Sequence, residues 1–300
     1  MEDYYINNTS QDQSYNYSNI TTDYYNSNFN TTQYYKEVPF IMQVLTYIII
    51  AIGLPLSLMA IYALYYMVQS DQVAPIFVIN LLISDLLQFC YMIVEVSEPE
   101  HKAIQMVSGL FYFFGLFASV GFMVCIALER YLVIVHPLWY RFRRTIKTSV
   151  ALCAVVWVQP FVFIFAFSFI DQAQMAIVIY LLLPFPLLIF FLVGTFKALS
   201  ASISVSSDEK RRIVGILVLV LLIYTLLFLP IILNFLKLCI YNMYDIYEDI
   251  LTTLSLIFVR FSPLADLVLY VFMRKGTVDK LLASVCCCRM DSNDISSPSV

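Results

Sequence analysis

Four ionisable residues, Asp85, Glu95, Arg260 and Asp266, stand inside two long apolar runs, and Glu129-Arg130-Tyr131 ends a third. A charged side chain within a membrane span costs about 3 kcal/mol on insertion scales, so it either pairs or serves a function. Asp85 closes the stretch Asn80-Leu81-Leu82-Ile83-Ser84-Asp85, in which Asn80 and Ser84 fall one turn apart on nearly one helix face. Asp266 sits deep in the last run. Two carboxylates beside one polar patch fit a cation or proton site; they also fit a hydrated hydrogen-bond network that holds no ion. Glu95 and Arg260 each lie toward the outer end of their runs. A guanidinium keeps its charge, so Arg260 requires an acid, water or an anionic ligand. The expectation is an ion pair with Glu95 at the floor of an outer cavity. Capture of a ligand carboxylate or phosphate by Arg260 is the other reading. The sequence has no metal-ligand spacing, no Gly-rich phosphate loop and no nucleophile–base constellation, so neither an enzyme nor a metal centre is expected.

These residues need helices to position them in a membrane. The chain has 300 residues, 61% of them hydrophobic and 13% charged, and its 7 Gly stand against 24 Phe and 22 Tyr. Soluble domains carry about 25% charged residues. A soluble fold of this length could not hide so much apolar surface. Soluble, disordered and collagen-like chains are excluded, and a net charge of −4 offers no general attraction to nucleic acid. Charge-free stretches occupy 38–70, 103–128, 148–170, 172–196 and 213–236. Two more, 72–96 and 250–273, are apolar but carry Asp85 and Glu95, and Arg260 and Asp266. Each is long enough to cross a bilayer as a helix. The solid rather than alternating runs exclude a β-barrel. The expected fold is therefore all-α, a seven-transmembrane helix bundle.

Of 17 basic residues, 13 fall on one side if the N-terminus is outside, which sets the expected orientation. No signal-peptide pattern precedes the first span, so an uncleaved N-terminus is expected. Residues 1–37 read as an extracellular polar tail with glycosylation sequons at Asn7, Asn8, Asn16, Asn19 and Asn30. Residues 38–275 form the expected transmembrane domain. Residues 276–300 hold a short amphipathic inner-surface helix, with Val278, Leu281, Leu282 and Val285 on one face, and a cytoplasmic tail. Cys286, Cys287 and Cys288 cannot bridge one another well, and their place beside that helix makes them palmitoylation sites in contact with membrane lipid. Cys90, Cys125 and Cys153 read as small apolar packing residues within spans.

Seven spans, an outer N-terminus and Glu129-Arg130-Tyr131 together resemble a rhodopsin-like (class A) G-protein-coupled receptor over about residues 38–290. Further motifs occur in the same order. Asn80 to Asp85 resembles the second-span motif whose Asp lines a sodium site, and Trp157 the fourth-span Trp. His136-Pro137-Leu138 resembles the second inner loop, which touches G protein, and Phe228-Leu229-Pro230 the sixth-span switch. Asp266-Leu267-Val268-Leu269-Tyr270 is similar to the seventh-span Asn/Asp-Pro-x-x-Tyr motif. Gly53-Leu54-Pro55 and the sixth and seventh spans look nearest to the branch of proton-sensing, lysolipid, nucleotide and chemokine-type receptors. The resemblance implies a plasma-membrane receptor with an extracellular ligand, heterotrimeric G protein and arrestin as partners, and a sodium ion at Asp85 as the one accessory group. It implies activation residues Glu129, Arg130, Tyr131, His136, Pro137, Phe228, Pro230, Asp266 and Tyr270. It also implies a polar network of Asn80, Asp85 and Asp266, and a pocket of Glu95, Tyr112, Gln159, Phe228 and Arg260.

The departures are specific. Gln105 stands where the family has the outer disulfide cysteine, Ser57 where it has an Asn, and Leu267 where it has a Pro. Lys210 takes the acid's place at the base of the sixth span, and the inner half of the fifth span lacks its Tyr. They favour an alternative, a receptor-like scavenger, decoy or dimer partner that does not signal. A transporter would need inverted halves with broken helices, for which the chain shows no repeat.

Overall fold

The computed structural model describes residues 17–69, 75–97, 101–136, 138, 146–167, 173–201, 207–241 and 250–273. The chain divides into two units, Met1–Leu45 and Thr46–Val300. Among the described residues there are nine α-helices and no strand. They are α1 (Tyr17–Gln69), α2 (Pro75–Val96), α3 (Lys102–Val135), α4 (Ile146–Phe167), α5 (Ala173–Leu182), α6 (Pro184–Ala201), α7 (Ser207–Tyr241), α8 (Ile250–Arg260) and α9 (Ser262–Met273).

Helix α1 begins at Tyr17, within the segment expected to be a polar tail. No Gly or Pro lies between Tyr17 and Glu37 to interrupt it. Asn7, Asn8, Asn16, Pro137, Cys286, Cys287, Cys288 and the expected surface helix lie outside the described residues, as do the side chains of Asn19 and Asn30.

Six helical stretches are long and apolar enough to cross a membrane: Phe40–Tyr66, Ile76–Val96, Lys102–Val135, Lys147–Ala166, Met175–Ser200 and Lys210–Lys237. The pair Leu251–Arg260 and Ser262–Met273, bent by 44°, supplies a seventh. The seven expected spans therefore exist, but the fifth and seventh are interrupted. In the fifth, a turn at Leu183 precedes Pro184 and Pro186, neither of which can donate a backbone hydrogen bond. In the seventh, Phe261 N–H turns back to the Phe258 carbonyl at 3.1 Å, and Pro263 follows directly. A proline near the start of a helix is tolerated because its missing N–H would lack a partner there anyway. Pro263 was visible in the sequence and marks the break; the family's proline place, Leu267, is mid-helix in α9.

Helix α3 is the central post, with α2, α4, α6 and α7 packed around it. Phe122, Met123, Ile126 and Ala127 are buried there, with Leu81 and Leu82 of α2 and Val220, Tyr224 and Phe228 of α7. The closest approach is at Gly115, where a Cβ would stand 2.6 Å from the Ser84 backbone oxygen. Neither helix backbone can yield there without separating α2 from α3. A Gly115→Val protein is expected to lose about 1–3 kcal/mol of stability. This should read as a lower thermal midpoint in detergent and reduced surface expression; an unchanged midpoint refutes the tight α2–α3 seam.

Candidate functional site

Three polar clusters interrupt the apolar bundle. The first joins Glu95 at the end of α2 to Arg260 at the end of α8. Arg260 donates to both carboxylate oxygens, Nη1 to Oε2 at 2.6 Å and Nη2 to Oε1 at 2.5 Å. The same Nη1 donates to Thr46 Oγ1 at 2.7 Å. This fork-on-fork geometry is the strong form of an ion pair. Tyr91, one turn before Glu95, has its ring 4.9 Å from that of Tyr112 on α3, and both tyrosines lie within the electrostatic reach of Arg260. The sequence named Glu95, Arg260 and Tyr112; Tyr91 was missed, although its i to i+4 spacing to Glu95 marked it.

Of the five residues expected to line one pocket, Glu95, Tyr112 and Arg260 meet in this first cluster. Gln159 sits on α4 beside Gly121, in an apolar groove of about 410 Å³ with Ala154, Val155, Val158, Val162 and Phe163. Gly121 is nine residues along α3 from Tyr112, about 13 Å of helix rise. Phe228 is fully buried, its ring 4.7 Å from that of Tyr224. Glu95, Tyr112 and Arg260 remain as one cluster.

The second cluster lies mid-bundle. Asp85 of α2 and Asp266 of α9 are both fully buried and face each other. Gln88 Nε2 donates to Asp85 Oδ1 at 3.2 Å. Among the described residues, Asp85 Oδ2, both Asp266 oxygens, Gln88 Oε1 and the hydroxyls of Ser119 and Ser262 have no hydrogen-bond partner. Ser119 is one turn from Gly115 on the α2-facing stripe of α3, and Ser262 one turn before Asp266. Buried polar atoms are normally satisfied, so this many orphaned oxygens fit a bound hard cation or water. Asn80 is a correction to the expected network. It accepts from Trp157 Nε1 at 2.9 Å and donates to the Ile76 carbonyl at 2.9 Å. Five residues at 100° each turn it about 140° away from Asp85, toward α4.

Between these clusters the break in the fifth span is built into the core. Tyr224 of α7 donates its hydroxyl to the Leu181 carbonyl at 2.7 Å, at the end of α5. Tyr180 donates to the Phe117 carbonyl at 3.0 Å. A carbonyl at a broken helix end needs such a donor in a bilayer, where no water replaces it. Tyr224 then carries Phe228 one turn on and Pro230 beyond it, inside α7.

The third cluster ends α3. Glu129 is 4% exposed and Arg130 19%, with Arg130 Nη2 3.7 Å from Glu129 Oε2. The Tyr131 ring packs on Phe190 and Phe191 of α6, with His136 6.2 Å away. Gly194 makes room for it, because a Cβ there would lie 2.6 Å from the Tyr131 ring. Tyr131 of α3 thus fills the space that Gly194 leaves on α6. Tyr270 is half-buried on α9. Across the bundle, Arg212 Nη2 donates to the Met273 carbonyl at 2.7 Å, a contact the sequence reading did not single out.

Comparison with known proteins agrees with this arrangement. Residues 56–176 match the family model "7 transmembrane receptor (rhodopsin family)". The type-1 angiotensin II receptor of Oryctolagus cuniculus is 30% identical over 117 residues, which is 37% of this chain and 33% of that receptor. G-protein coupled receptor 68 of Bos taurus is 25% identical over 118 residues, 37% of this chain and 33% of the relative. The Homo sapiens form is 25% identical over 146 residues, 46% and 40%. The chain thus spans about a third of the length of the first of these relatives. With six apolar spans and a bent seventh, the chain is a multi-pass membrane protein, and over residues 56–176 it is similar to the rhodopsin family of seven-transmembrane receptors.

Proposed function

We propose that this chain is a plasma-membrane receptor that passes an extracellular ligand signal to a heterotrimeric G protein. In this reading the Glu95–Arg260 end of the bundle faces outside and Arg130 faces the cytosol. The observation that carries it is Arg130 itself. Its guanidinium is partly exposed at the end of the central helix and is engaged by its neighbour Glu129 at 3.7 Å. That contact is too long for a strong charge-assisted hydrogen bond, so it can be exchanged for a partner entering from the cytosol. An outer ligand would bind over Glu95, Arg260, Tyr91 and Tyr112 and bias the equilibrium between closed and open bundles. Asp85, Asp266, Ser119 and Ser262 would hold a sodium ion that favours one of these states.

The test is basal G-protein dissociation in cells, read across several G-protein types, with Arg130→Ala as control. Arg130→Ala is expected to remove at least four-fifths of the basal signal at equal surface expression. Basal signalling that survives the substitution sinks the role of Arg130. Silence of both proteins, with normal expression and no response to cell or tissue extracts, moves the reading to a scavenger, decoy or dimer partner. Ser57 and Leu267 in place of the family's Asn and Pro, with the missing fifth-span tyrosine, are the observations that favour it.

A further inference from the structure

We infer that the ligand of the Glu95–Arg260 site is a cation, an ammonium or guanidinium group that docks on the outward face of Glu95. The inference rests on the receptor reading above and names the ligand class of its outer site. A carboxylate offers about four lone-pair sites, two on each oxygen. Arg260 uses one on each, Nη1 on Oε2 at 2.6 Å and Nη2 on Oε1 at 2.5 Å. The guanidinium is the less available partner. Both of its terminal nitrogens donate to Glu95, Nη1 donates again to Thr46, and its side chain is 15% exposed. Glu95 is 34% exposed, so the polar surface that this pair offers to a ligand is mostly carboxylate. An anion would have to break the bidentate pair to reach Arg260. A cation reaches the remaining lone pairs of Glu95 and leaves the pair intact, with Arg260 as the positioning residue that holds the carboxylate in place.

The surroundings favour the same sign. Tyr91, one turn before Glu95, and Tyr112 set their rings 4.9 Å apart beside the pair. The face of an aromatic ring attracts a cation and repels an anion. In sequence, Glu98 and Glu100 follow α2, and Asp245, Glu248 and Asp249 precede α8, against Lys102 and Lys237. Such an excess of acid raises the local concentration of cations. Tyr91 also walls a groove of about 390 Å³ between α2 and α3, with Cys90, Val94, Ile104, Val107 and Phe111. An apolar part of the ligand therefore has a surface next to the place of its charge. The class that fits is a cation with an apolar body.

The experiment uses the full chain in lipid nanodiscs and three probes of one shape: benzylammonium, neutral benzamide and benzoate. Thermal midpoints are read against probe concentration at constant ionic strength. Benzylammonium is expected to bind about tenfold more tightly than benzamide, the effect of one hydrogen bond to a charged group, and benzoate more weakly still. Glu95→Gln, which keeps the shape and removes the charge, should bring benzylammonium down to the benzamide level. Tyr91→Leu should weaken benzylammonium about threefold by loss of the aromatic face. Benzoate as the tightest binder overturns the proposal and gives the ligand to Arg260. So do equal affinities for the three probes, or no saturable shift with any of them. A cation preference that survives Glu95→Gln also overturns it, because the preference then comes from the overall negative charge. The selectivity of the parent needs no variant to fold, and if Glu95→Gln does not fold, Tyr91→Leu carries the assignment to this site. G-protein dissociation in cells is read in parallel. Selective benzylammonium binding by a chain that never activates a G protein keeps the cation site and removes the receptor reading. Activation by anionic fractions of a tissue extract, unchanged in Glu95→Gln, keeps the receptor and overturns the cation site.

Discussion

Truncating Glu95 to alanine is expected to damage the protein more than truncating Arg260, although the two share one ion pair. Glu95 is 34% exposed and Arg260 15%. Without Arg260, the Glu95 carboxylate can turn toward water. Without Glu95, the guanidinium keeps its charge, lies deeper, and among the described contacts retains the Thr46 hydroxyl as a hydrogen-bond acceptor. Breaking a buried pair by removing one partner costs about 3–5 kcal/mol. Partial exposure places Arg260→Ala nearer 2 kcal/mol and leaves Glu95→Ala near the full figure. Thermal midpoints of the purified single variants should therefore fall in that order. The exchanged protein, Glu95→Arg with Arg260→Glu, should recover part of the loss, because the bidentate geometry works in either direction. A double-mutant cycle isolates the coupling. Equal losses in the two single variants, or an exchanged protein no better than the worse of them, would show that the pair is incidental to the fold. A ligand that binds over this pair should lose affinity in both variants, since each removes half of the only charged floor described at that end of the bundle.

What could be read from residues alone follows from what a bilayer penalises. Charge inside oil is costly enough that Glu95, Arg260, Asp85 and Asp266 announce themselves, and two pairings between helices distant in sequence are recovered from that cost alone. The spans are legible for the same reason. Direction is less legible. Asn80 and Gln159 are polar residues in apolar runs, yet they face Trp157 and Gly121 respectively, away from the clusters they were assigned to. A one-dimensional pattern fixes the face of a helix but not which neighbour that face meets. The breaks at Leu183 and Phe261 were half visible, since Pro184, Pro186 and Pro263 mark them; how Tyr224 closes the first depends on tertiary placement. Arg212 was least visible. It was one basic residue among thirteen on the expected cytosolic side, and only its bond to the Met273 carbonyl of α9 distinguishes it. The Tyr131–Gly194 contact is of the same kind, a space left by one helix and filled from another.

Replacing Asp266 by asparagine is expected to raise the thermal midpoint in sodium-free buffer and to abolish most of its sodium dependence. Asp85 and Asp266 interact with each other, fully buried, and no other residue described donates to Asp85 Oδ2 or to either Asp266 oxygen. Two carboxylates at short range in a low-dielectric interior cannot both hold their charge without a compensating cation or a shared proton. A bound sodium ion would stabilise the parent in sodium chloride by mass action, about 2.7 kcal/mol when the ion is at a hundred times its dissociation constant. In choline chloride that gain is absent, and the buried pair is left to repel. Asparagine removes one charge and brings an amide that can donate to Asp85. The variant should therefore exceed the parent in choline and fall below it in saturating sodium, so that the two midpoint curves cross. The crossing separates a cation site from a generic polar network, since a neutral network that holds no ion would give parallel, salt-independent curves. The hydroxyls refine the assignment. Ser119→Ala, which removes one of the orphaned oxygens from the α2-facing stripe of α3, should weaken the sodium response without raising the choline midpoint, because it deletes a ligand but relieves no repulsion. If Asp266→Asn and Ser119→Ala behave alike, the orphaned hydroxyls are not ligands and the acid pair alone governs the site.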